Sequence, residues 1–170
     1  MKLELVLTLV QQEAAGSLLD SLAVSPVAVL LGSAGTGKTT ILKTVQATHG
    51  GVFLGGPQLM TARHAQGPAA IEEAFFRMIE DAIQIHDLVL VDDLGLVTNA
   101  AGGGGEGRVH LLDAALTAIL AEARVLGSKL IFAVEEEIPW PLQRRAQIVQ
   151  LAEADGGCDT DLQPQSEPRP

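Results

Sequence analysis

Val27-Ala28-Val29-Leu30-Leu31-Gly32-Ser33-Ala34-Gly35-Thr36-Gly37-Lys38-Thr39-Thr40 is an apolar run that breaks into a glycine-rich loop and ends in Gly-Lys-Thr. Gly32 to Thr39 match G-x-x-x-x-G-K-[ST], the phosphate-binding pattern, with a strand-forming run before it and helix-forming residues after it. Gly32, Gly35 and Gly37 are expected to take positive φ and bring the backbone close to a polyphosphate, so that N–H groups from Ala34 to Thr40 converge on its oxygens. A helix starting near Lys38 points its positive end at the same place. Lys38 supplies a mobile point charge for the β- and γ-phosphates, and the Thr39 hydroxyl is suited to hold Mg²⁺. A ligand-free glycine turn would explain neither the flanking strand nor the Lys-Thr pair.

Around this stretch lie 170 residues, the size of one ordinary domain. The sequence is 47% hydrophobic but only 3% aromatic, with no tyrosine, so the core must come from Ala, Val, Leu and Ile. That composition suits a buried, mostly parallel sheet covered by helices, an α/β three-layer arrangement. Cys158 is the single cysteine, which excludes an internal disulfide framework and fits a reducing, cytoplasmic or other intracellular compartment. No signal peptide is expected, because Glu4 follows Met1-Lys2 closely, and no run is long enough to span a membrane. A net charge of −10 argues against a broad nucleic-acid-binding surface but allows a local basic patch.

Residues 1–23 form a segment packed on the core. Leu3, Leu5, Leu7 and Leu9 alternate as in a strand, yet would equally serve a helix to Ala14. Gly16 punctuates, and Ser17 is a cap for a short helix to Ala23. After the Val27–Leu31 strand, a helix over Thr39–Thr48 closes at Gly50-Gly51, and Val52-Phe53-Leu54 is a second strand. Gln58 to Gly67 read as a loop or partial helical turn. Pro68 opens a helix to Ile85, with Ile71, Phe75, Met78, Ile79 and Ala82 on one face.

Leu88-Val89-Leu90-Val91-Asp92-Asp93 is four apolar residues ending in two carboxylates, the pattern called Walker B. A central strand delivers Asp92 to the carboxyl edge of the sheet as a ligand for Mg²⁺ or its water. Asp93 is placed to orient an attacking water, although strand alternation sends it to the other side. The glycine-rich stretch within 99–110 is a linker or a loop facing a substrate, with Arg108 and His110 as its polar hooks. A helix over Val109–Leu126 and a strand over Lys129–Val134 follow. The strand runs into Glu135-Glu136-Glu137, which are expected to face solvent, because carboxylates beside a γ-phosphate would repel it. Pro139-Trp140-Pro141 is a rigid break, with Trp140 a packing residue or a stacking platform. Arg144 and Arg145 are a solvated pair or the source of an arginine finger reaching a neighbour's γ-phosphate. Ala146 to Leu151 end the core as a strand, and 153–170 are expected to be a disordered acidic, Pro-rich tail.

The order of parts resembles the RecA-like branch of the P-loop ATPases over residues 24–152, and in layout the small hexameric motors such as the RNA-packaging ATPases of cystoviruses. The resemblance implies a RecA-like P-loop NTPase fold and binding of ATP with Mg²⁺. It also implies hydrolysis coupled to nucleic acid, with homo-oligomers, rings or filaments, or related subunits as partners. On it, Gly32, Ser33, Ala34, Gly35, Thr36, Gly37, Lys38, Thr39 and Thr40 bind the nucleotide. Thr39 and Asp92 hold the metal, while Lys38, Asp93, Arg144 and Arg145 carry catalysis. Two departures stand out. No carboxylate follows the second strand at Leu54-Gly55-Gly56-Pro57-Gln58, and glutamates replace the neutral residue expected after the Phe132 strand. An accessory subunit that assembles on nucleotide with little turnover is therefore a second reading, and a loader or remodelling ATPase of the AAA+ type a third. A small-molecule kinase would need an arginine-rich lid, which the chain lacks.

Overall fold

Five apolar runs become the strands β1 (Val27–Leu31), β2 (Val52–Leu54), β3 (Leu88–Val91), β4 (Lys129–Val134) and β5 (Gln147–Gln150) of one sheet, ordered β2-β3-β4-β1-β5. The structure is a computed structural model that describes residues 6–66, 71–92, 94–95 and 106–152. Every pairing in this sheet is parallel, with Val27 opposite Leu130 and Val89 opposite Leu130 on the other side of β4. Parallel strands need crossovers, and those crossovers cover both faces, which is why β1, β3 and β4 read as unbroken apolar runs.

Alternate residues of each strand feed different layers. Val27, Val29, Val89, Val91, Leu130 and Phe132 pack with α4 (Ile71–Ile85), α5 (Glu106–Leu126) and α6 (Trp140–Arg145), whose contributions include Phe75, Ile79, Leu116, Ile119 and Leu142. Ala28, Leu30, Leu90, Ile131 and Ala133 face α1 (Leu9–Val24) and α2 (Lys38–His49), meeting Leu18, Leu22, Ile41, Leu42 and Val45. The result is the expected three-layer α/β architecture.

The first helix corrects the sequence reading. No separate Ser17-capped piece forms; α1 is continuous through Gly16, the helical one of the two readings open for this segment, and Leu3 and Leu5 lie outside the described residues. Its cap is Thr8, whose hydroxyl accepts from the Gln11 N–H at 3.3 Å while the Thr8 N–H donates to Gln11 Oε1 at 3.0 Å. This reciprocal capping box, together with burial of Ala14, Leu18 and Leu22, outweighs the propensity cost of one glycine. Residues expected as a loop form α3 (Gly56–Gln66), anchored by buried Leu59. The Pro-Trp-Pro break is the start of α6, where prolines suit the first turn because its N–H groups have no helical partner. Residues 67–70 and 153–170, including the expected tail, lie outside the described residues. Among the described residues, no helix is long and apolar enough to cross a membrane.

Because Leu18 is fully buried between α1 and the sheet, Leu18→Ala is expected to destabilise the whole fold by about 2–5 kcal/mol. Chemical denaturation followed by circular dichroism checks this. A change within about 0.5 kcal/mol, as at a surface site, would show that α1 is an appendage to the core.

Candidate functional site

The loop 32–37 leaves the carboxyl end of β1 and turns into α2, on the α1 side of the sheet. The chain leaving β4 turns the other way, into α6 on the opposite face. Neighbouring strands whose connections diverge open a crevice at the carboxyl edge, the place where ligands bind to open parallel sheets.

Three side chains singled out from sequence meet there. Lys38 is 8% exposed and Asp92 4%, two of the few buried polar residues among the described ones. Lys38 Nζ donates to Gly32 O at 2.7 Å and Ser33 O at 2.9 Å, so its ammonium closes the loop on itself. The Thr39 hydroxyl donates to Asp92 Oδ2 at 2.6 Å, joining the start of α2 to the end of β3. Asp92 is held in turn by its own N–H, which donates to Leu54 O at 2.8 Å. A hydroxyl and a carboxylate oxygen this close fit Mg²⁺, which takes one or two protein oxygens and keeps several waters.

The glycines divide their work differently from expectation. Gly35 and Gly37 have φ of 79° and 93°, in the left-handed region. Gly32 does not; it is small because a Cβ there would lie 3.1 Å from both Leu151 Cβ and Thr36 Oγ1. At Gly37 a Cβ would run into Gln11 Nε2. Thr36 Oγ1 donates to Ser33 O at 2.8 Å and tightens the turn.

Two residues with no role assigned from sequence belong to the site. Gln11 Nε2 donates to Thr36 O at 3.0 Å, so the residue that caps α1 also holds the phosphate loop. The T-x-x-Q spacing from Thr8 to Gln11 signals the cap, but nothing local signals the loop contact. Glu135, Glu136 and Glu137 face solvent as expected, and Glu135, with its side chain 55% exposed, also places Oε1 3.8 Å from Lys38 Nζ.

Asp93 and the 99–105 part of the glycine-rich loop lie outside the described residues, and His110 is exposed on α5. Arg144 and Arg145 are exposed and are not brought to Lys38. The Arg144 guanidinium lies 5.1 Å from the Trp140 ring centroid, which makes Trp140 its packing partner. The Arg145 carbonyl accepts from the Ser25 hydroxyl at 3.3 Å, just before β1, at the amino edge of the sheet. The length of β1, at about 3.3 Å per residue, separates that edge from the phosphate loop. After β2, where no carboxylate occurs, the Gln58 side chain accepts from the Gly55 N–H at 3.2 Å.

Among solved structures, this chain is similar to one described as a DNA replication initiation factor, with TM-score 0.55 and 15% identity over 87% of this chain and 48% of that one. The chain has the P-loop NTPase fold. It spans about half the length of that structure. Weaker likenesses are to the Walker-type ATPase PABY2304 of Pyrococcus abyssi (TM-score 0.49, 18% identity, 83% of this chain and 53% of that one) and to PCH-2 of C. elegans (0.45, 17%, 83% and 41%). No protein-family profile matches the sequence, and no curated protein matches it.

Within this P-loop fold, Gly37→Ala is expected to cost about 1–3 kcal/mol, from a strained φ and the clash with Gln11. Gln11→Ala is expected to speed amide exchange across residues 33–37 while leaving β4 protected. Unchanged exchange in the loop would show that Gln11 only caps α1.

Proposed function

We propose that this chain binds ATP with Mg²⁺ and hydrolyses it as a subunit of an oligomeric P-loop ATPase acting on nucleic acid. The observation that carries the reading is the Thr39–Asp92 hydrogen bond beside Lys38, which gathers a hydroxyl, a carboxylate and an ammonium from two non-adjacent strands at the carboxyl edge. On this reading Gly32 to Thr40 cradle the phosphates by backbone N–H groups and the α2 N-terminus. Thr39 and Asp92 would hold Mg²⁺, which would supply positive charge to the phosphates. Lys38 stabilises the same charge, and Asp93 aligns a water whose oxygen bonds to the γ-phosphorus as the bond to the bridging oxygen breaks.

Arg144 and Arg145 stand at the far edge from their own loop, so a catalytic role for either requires a neighbouring subunit, in a ring or filament. The 99–110 segment is the proposed contact with DNA or RNA, in the manner of the cystovirus packaging motors. The DNA replication initiation factor of similar fold is in keeping with nucleic acid as the partner. A second reading, the accessory subunit that assembles on nucleotide with slow turnover, is favoured by the Lys38–Glu135 contact and by Gln58 standing where a catalytic carboxylate is wanted. The AAA+ type loader remains the third arrangement of the same parts.

Charged hydrogen bonds are worth about 1.5–3 kcal/mol, so Lys38→Ala is expected to weaken ATP binding about ten- to hundredfold and to abolish hydrolysis. Wild-type rates in that variant would sink the site assignment. Hydrolysis stimulated by single-stranded DNA or RNA selects the motor; nucleotide-dependent assembly in native mass measurements without turnover selects the accessory subunit.

A further inference from the structure

Glu135 is the first residue beyond β4, and β4 is the strand between β1 and β3. It therefore starts from the gap between the strand that carries the phosphate loop and the strand that carries Asp92. On the nucleotide-site reading, this gap between Lys38 and Asp92 is where a terminal phosphate would enter.

Lys38 has three ammonium hydrogens to place. Gly32 O and Ser33 O accept at 2.7 and 2.9 Å, and Glu135 Oε1 lies 3.8 Å from the same nitrogen. Among the described residues no other salt bridge reaches either group. The partners are unequal: the Lys38 side chain is 9% exposed and held by two carbonyls, while that of Glu135 is 55% exposed. Glu136 and Glu137, both exposed, add negative charge to the same turn.

The phosphates of a bound nucleotide do not feel this carboxylate equally. A β-phosphate lies within the loop and keeps its backbone N–H partners whatever Glu135 does. Lys38 serves both phosphates, but a γ-phosphate has fewer loop N–H groups to fall back on, and it arrives as a second anion where Glu135 already lies near the ammonium. We propose that Glu135 is an internal competitor for the γ-phosphate, making the site selective for nucleoside diphosphate over triphosphate until the Glu135 side chain moves off Lys38. The inference rests on the nucleotide-site reading above and adds a specificity-determining residue to it.

The test is displacement of a fluorescent ADP by unlabelled ADP and by the β,γ-imido analogue of ATP, at fixed magnesium. It is run on the wild-type chain, Glu135→Gln, Glu135→Ala and, as a neighbour of equal charge, Glu136→Gln. Wild type is expected to prefer ADP. Both Glu135 variants should tighten the triphosphate analogue about fivefold relative to ADP, the scale of a partly exposed ion pair, and Glu136→Gln should leave the ratio unchanged. The proposal is overturned if the ratio stays at its wild-type value in both Glu135 variants, or if they weaken the triphosphate while ADP binding persists. If wild type binds neither nucleotide, the nucleotide site itself falls and this inference with it.

Discussion

Between the phosphate loop and Asp92 runs β4, paired in register with β1 on one side and with β3 on the other. Neighbouring strands lie about 4.8 Å apart, so the loop and the carboxylate start two strand spacings from each other and nothing local joins them. The Thr39–Asp92 hydrogen bond closes that distance from the loop side, through the first turn of α2. It forms only if both parallel registers hold. A slip of one residue in β3 against β4 would turn Val89 and Val91 out of the layer they share with Phe75 and Ile79 and carry Asp92 away from the edge. Core packing and site geometry are thus one constraint. The residues that keep the sheet in register are the fully buried Val89, Leu130 and Phe132, far from any chemistry.

Electrostatics at the site follow from where that constraint places charges. Lys38 is buried without a close carboxylate, its nearest partners being carbonyl oxygens. Such an ammonium keeps its positive charge available, since dipoles satisfy its hydrogens without neutralising it. Glu135 answers the charge only at longer range and from a half-open position. In the same way Asp92 is held by a hydroxyl and fixed by its own backbone N–H, neither of which cancels its negative charge. The site keeps one fixed positive and one fixed negative group at its two flanks.

How much of this was legible depends on the range of the signal. The phosphate loop and the Asp92 strand could be read because each is a contiguous pattern whose chemistry requires those residues, and the unbroken apolar runs of β1, β3 and β4 imply burial on two faces. The helix α1 was obscured by a leucine alternation that runs past the Thr8 cap to Leu9, and by Gly16, whose cost is small against the burial of Leu18. The α3 and α6 helices were hidden by glycine and prolines that stand at helix starts, where they are tolerated. Glu135 and Gln11 were out of reach for another reason. Each acts on a residue at the loop from a different element, and sequence spacing carries no record of such a meeting.

The Gln11 contact has a mechanical meaning. One side chain closes the first turn of α1 through Thr8 and grips the phosphate loop through Thr36. The cap of that turn and one anchor of the loop are therefore the same side chain. The amide of Gln11 thus ties the start of the first helix to the turn that would surround the phosphates.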